Sequence, residues 1–146
     1  MKRISIYLLT PVLFLLAGCA KHTVTPVPIP IGTFSGQFVL IHQSTQTGLL
    51  DTVTANVVLT MSTSTGYAVT SDTTTVQAGS NGSFIINDAQ YLTFNDKTAP
   101  ANAKTVGKSL KIHLNGVYTY YYDGINFSFY TTSADTLGYN YILTKN

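Results

Sequence analysis

The sequence predicts an all-β protein, an antiparallel up-and-down barrel of about 8–10 strands with a β-sandwich as the alternative, and three observations carry the prediction. Beyond Gly32 the apolar residues recur with period two, and no window holds a sustained 3.6-residue stripe. β-Branched and aromatic residues fill these alternating runs, as a pleated, half-buried surface requires. Asn115-Gly116 and Asp123-Gly124 lie between such runs as signals for two-residue type I′ hairpins, whose central residues both take positive φ. Consecutive hairpins at the C-terminal end supply the connectivity by which a sheet of this size closes and removes its edges.

Taken in order, the chain opens with the charged start Met1-Lys2-Arg3 and the apolar stretch Ile4 to Leu16. That stretch is shorter than the roughly 20 residues that cross a bilayer, and Pro11 interrupts it, so residues 1–18 read as a signal peptide. Leu16-Ala17-Gly18-Cys19 resembles the lipobox of bacterial lipoproteins. The resemblance implies cleavage before Cys19, a diacylglyceryl group on its thiol, and anchoring by acyl chains of the palmitate type. The chain's only cysteine is then neither nucleophile nor disulfide partner. Residues 19–31 read as a lipidated tether, because Pro26, Pro28 and Pro30 alternate with Val27, Ile29 and Ile31 and favour an extended, semi-rigid spacer. Surface export of lipoproteins in some Gram-negative bacteria uses acidic residues soon after the cysteine. Ala20-Lys21-His22-Thr23 has none, which favours a periplasm-facing position in the outer membrane.

Residues 32–146 form the barrel domain. Its clearest strand is Asp51 to Met61, where Val53, Ala55, Val57, Leu59 and Met61 share one face and Thr52, Thr54, Asn56 and Thr60 the other. Thr33 to His42 precedes it, with Phe34, Phe38 and Leu40 aligned. The later strands expected are Gly66 to Ser71, Thr74 to Ala78, Ser83 to Asn87, Gln90 to Phe94, Lys108 to Leu114, Val117 to Tyr122, Ile125 to Thr131 and Leu137 to Thr144. Asn81-Gly82 is a third turn dipeptide, and Asp96 to Lys104, with Pro100, a longer loop.

The opening Gly32-Thr33-Phe34-Ser35-Gly36 after a lipidated tether, together with the last strand Leu137 to Lys145, resembles the small lipocalin-like (calycin-type) outer-membrane lipoproteins. Phe34 stands where that family typically has Trp, and Lys145 would be the basic residue packing over the ring. The resemblance implies a barrel that binds a small ligand or a protein.

Charge narrows the partners. The formal net charge of +2 comes wholly from Lys2 and Arg3, so the mature chain is neutral, and it has no Arg, Glu or Trp. Nucleic-acid binding needs a basic face that neutralises phosphates, and no such excess exists. Catalysis also has little to work with. The six acids are scattered Asp, no Gly-x-Ser-x-Gly element occurs, and no His, Asp and Cys stand at metal-ligand spacing. The expectation is a non-enzyme without metal or cofactor. His22 lies in the tether, His42 at a strand end, and His113 on the polar side of its strand.

Aromatic residues are the remaining signal. Tyr118, Tyr120 and Tyr122 share one strand face, Tyr139 and Tyr141 another, and Phe127 and Phe129 lie between them. They are the candidate ligand-binding rows, since a tyrosine ring offers a flat face and a polar tip to a sugar or an apolar ligand. Tyr121 and Tyr130 have the opposite parity, so one sheet face in this region is aromatic without being core. Asp51-Thr52-Val53, Asp72-Thr73-Thr74 and Asp135-Thr136-Leu137 resemble the O-glycosylation acceptors of some Gram-negative bacteria, which makes Thr52, Thr73 and Thr136 candidate glycosylation sites. Two functions follow. One is a lipid-anchored module holding a small apolar or sugar-like ligand in its barrel, and the other an interaction or inhibitor lipoprotein that meets another envelope protein through an exposed aromatic face.

Overall fold

A computed structural model describes residues 28–44, 46–72, 74–87, 90–99, 111–133 and 137–146. The signal peptide, Cys19 and most of the Pro-rich tether lie outside them, as do Thr73 and Thr136. The described chain forms eight antiparallel strands: β1 (Gly32–Gln43), β2 (Leu50–Ser62), β3 (Gly66–Ser71), β4 (Ser80–Ile86), β5 (Tyr91–Asp96), β6 (Gly116–Tyr122), β7 (Asn126–Ser133) and β8 (Leu137–Lys145). Each pairs with its successor and β8 returns to β1, which closes an up-and-down barrel.

Alternating side chains explain why the sheet closes. Phe34 and Phe38 of β1, Val57, Leu59 and Met61 of β2, Phe94 of β5, Tyr118 of β6, Phe127 and Phe129 of β7 and Tyr141 of β8 all point inward and are buried. Outward positions carry Thr33, Ser35, Gln37, Thr52, Thr54, Asn56 and Thr60 on β1 and β2. On β1 and β2 an apolar interior thus lies behind an outer face that is mostly polar, with Val39, Ile41 and Val58 among its apolar members. At two places where a neighbouring strand's backbone comes close, the inward residue is glycine. A Cβ on Gly36 would overlap the Ile142 carbonyl, and one on Gly82 the Asn95 carbonyl.

Two expected strands are absent among the described residues. Of Thr74 to Ala78 and the described part of Lys108 to Leu114, only Gln77 and Ile112 form a single parallel bridge, tied by Ala78 N–H to the Ile112 carbonyl and Ile112 N–H to the Val76 carbonyl, both 2.8 Å. These segments belong to the two long loops after β3 and β5, which leave the same end of the barrel. They form a cap over that mouth. Gln77 and Leu114 are completely buried under it, so the apolar residues that suggested strands are there to seal an opening. The N-terminal entry at Gly32 and the C-terminus lie at the opposite end.

The turns also differ from expectation. Asn115-Gly116 is no hairpin, because Gly116, at φ +102°, starts β6 after the long loop, and Asn115 Oδ1 accepts the Asp96 N–H at 3.1 Å. Asn81-Gly82 lies inside β4. Asp123-Gly124 does mark a hairpin, displaced by one residue. Asp123 N–H donates to the Asn126 carbonyl at 3.2 Å, so Gly124, at φ +104°, and Ile125 are the central pair. Glycine in the first central position is the type II′ arrangement.

Candidate functional site

β6 carries the decisive geometry, because its alternation sends one tyrosine row inward and leaves Tyr121 outside. Tyr118 is 1% exposed, and its ring lies edge-on to Phe94, Phe129 and Tyr141 at centroid distances of 5.4–6.0 Å. Tyr120 meets Phe127 at 6.2 Å, and Tyr122 meets Phe34 and Phe127, each at 5.7 Å. Tyr141 is 1% exposed and stacks on Phe129 at 4.4 Å. Tyr139, half-buried, stacks on Phe38 at 6.4 Å. A continuous chain of rings runs Tyr67, Phe94, Phe129, Phe127, Phe34, Tyr122. Among the candidate ligand-binding residues Tyr118, Tyr120, Tyr122, Tyr139 and Tyr141, all but Tyr139 therefore have their surface occupied by neighbouring side chains.

The polar tips of these rings hold the cap. Tyr141 Oη donates to Gln77 Oε1 at 3.1 Å, Tyr67 Oη donates to the Leu114 carbonyl, and Leu114 N–H donates to Ser80 Oγ at 3.3 Å. Burial pushes the hydroxyls of Tyr67, Tyr118 and Tyr141 well above the ordinary tyrosine range, so they stay protonated and remain donors. His113 is not a solvated strand residue as its parity suggested. Its Nδ1 lies 2.7 Å from Asp96 Oδ2, at the base of the cap. Burial alone would raise the Asp96 pKa, but the Thr98 hydroxyl and N–H and the His113 ring outweigh it and hold the carboxyl below its ordinary range. His42 is exposed at the end of β1. No group of three His, Cys, Asp or Glu able to hold a metal occurs among the described residues.

Outside, β5 to β8 present a different surface. Tyr121 is 62% exposed and Tyr130 55%, with Val117, Ile142 and Tyr91 also exposed. Register places them together: Tyr91, Thr119 and Tyr130 form one row across β5, β6 and β7, and Tyr121, Ser128 and Ile142 the next row across β6, β7 and β8. Adjacent strands are about 4.8 Å apart, so these side chains make one patch. No outward position of these four strands is charged. Every Asp and Lys among the described residues sits in a loop, a turn or within two residues of a strand's end, at the barrel ends. Sequence parity had singled out Tyr121 and Tyr130. It did not bring in Tyr91, Val117 and Ile142, which strand register alone adds.

Of the glycosylation candidates, Thr52 is exposed on the outer face of β2, opposite Ile41. No family model matches this chain, and neither a curated protein nor a solved structure does.

Proposed function

We propose that this protein is a lipid-anchored, non-enzymatic interaction module of the cell envelope, held at Cys19 in the outer membrane facing the periplasm, whose working surface is the outer face of β5 to β8. The observation that carries this reading is the split within β6: Tyr118, Tyr120 and Tyr122 are consumed by the core, while Tyr121 stands in an uncharged aromatic and aliphatic patch. Exposed apolar patches on soluble folds mark contact surfaces. The packing of the inner rings favours this reading over a ligand held in the lipocalin-like barrel. The topology is compatible with tethering, because Gly32 enters at the end opposite the cap and leaves the wall of β5 to β8 free of the anchor.

The test is site-specific photocross-linking in host cells, with a benzophenone amino acid replacing Tyr121 or Tyr130 of the full-length protein. A discrete adduct from these positions, and none from Thr60 on the wall formed by β2, is the expected outcome. Equal labelling from all three, or none from any, would remove the support for this surface.

A further inference from the structure

The barrel closes, but not along its whole height. β1 pairs with β2 over the full run from Gly32↔Met61 to Gln43↔Leu50, whereas β3 reaches β2 only from Val57↔Ser71 to Ser62↔Gly66. Residues 50–56 of β2 thus have a strand on one side only among the described residues, and no backbone hydrogen bond from a loop reaches them there. Every second residue of such an edge points its N–H and C=O away from the sheet, roughly 7 Å apart along the strand. Natural edges are blunted by Lys, Pro, bulges or shortness. Leu50-Asp51-Thr52-Val53-Thr54-Ala55-Asn56 has none of these, and only Asp51 carries charge. Leu50 and Val53 are exposed beside it.

We infer that this edge is a β-augmentation site that takes an extended peptide segment of a partner protein as an added strand. The chemistry identifies the occupant, because only another extended backbone offers acceptors and donors at that repeat. A second copy of this chain is disfavoured by direction. Two copies joined antiparallel at this edge are related by a two-fold axis normal to the sheet, which turns their N-terminal ends opposite ways, so two chains anchored at Cys19 as proposed above pair only if a tether runs back along its barrel. The site is separate from the aromatic patch, so either can fail without the other.

The experiment is amide hydrogen exchange on the purified protein, with a synthetic heptapeptide of the sequence of residues 50–56 as surrogate strand. Centred on Val53, it places Thr opposite Thr and brings no like charges together. The inference expects rapid exchange at alternate positions of residues 50–56 in the free protein, slowed about tenfold or more by the peptide. Of two versions of the peptide, N-methylated at alternate residues in the two possible registers, one should lose this protection and the other keep it. Edge amides already protected in dilute free protein, no effect of the peptide at millimolar concentration, or equal effects of both N-methylated versions would overturn the inference. Protection that rises with protein concentration alone would overturn it in favour of a second copy.

Discussion

At the scale of single residues, the two sides of β6 make opposite predictions. Tyr120→Ala removes a ring packed on Phe127 and should cost about 3–5 kcal/mol, the range of large-to-small core changes. Tyr121→Ala, on the outer face, should stay within about 0.5 kcal/mol. Denaturant melts of the two variants check both, and similar losses would contradict the assignment of faces. Tyr141→Phe should cost about 1–3 kcal/mol, because it strips the buried Gln77 Oε1 of its donor. Acid acts through the carboxylates. Asp72, Asp96 and Asp123 are all held below the ordinary aspartate value of 3.8, Asp72 first by the Thr74 N–H and Asp123 first by the Asn126 side chain. A depressed folded pKa gives stability that is fully present above the unfolded value and is lost as pH falls from there through the folded value. Stability should therefore be level down to about pH 5 and decline below about pH 4, with Asp96→Asn less stable at neutral pH and flatter in acid. That Tyr118, Tyr120 and Tyr122 share one face and Tyr121 the other was legible in the sequence, since period two alone fixes it. Which parity is core was not, because both were aromatic. Nor was the pairing of His113 with Asp96, which depends on where a long loop crosses the mouth.

At the scale of elements, the strands were read well where alternation ran long. β1, β2, β6, β7 and β8 stand within a few residues of their expected bounds. The failures share a cause. Val76, Ile112 and Leu114 are apolar because they pack on the barrel core from above, and short apolar runs have the same composition in a cap as in a strand. The Asn-Gly dipeptides misled for a related reason. Glycine at Gly116 serves a positive φ and at Gly82 a close approach of neighbouring backbone, and both needs are met outside hairpins. Gly124→Val should destabilise by about 1–2 kcal/mol through left-handed strain at a β-branched residue. Gly82→Ala should cost more, since a methyl there meets the Asn95 carbonyl and the strands must part. Thermal unfolding of the two variants gives the ranking, and the reverse order would contradict this account of the close strand approach at Gly82.

At the scale of the molecule, the charge distribution reads as a division of labour. Among the described residues, charges are confined to the two ends, the wall is uncharged, and the interior is filled with aromatic rings. Closure into a barrel was legible from the run of consecutive alternating strands, although two of the three turn dipeptides read beside them are not hairpins. The overhanging edge of β2 was not, because strand lengths, and so the height at which β3 stops, depend on pairing across the sheet. Cys19→Ser should release the protein from the membrane fraction or leave it as an unprocessed precursor; a variant that still fractionates as mature, lipid-bearing protein would contradict anchoring at that residue. The central claim, that the barrel interior is spent on packing and that recognition happens on the outside, is tested most directly by native mass spectrometry of the protein purified from its own host. The account predicts a mass explained by covalent modification alone, with no small molecule held stoichiometrically. A bound small molecule that survives Tyr121→Ala and is lost with Tyr139→Ala would contradict it and return the function to the barrel interior.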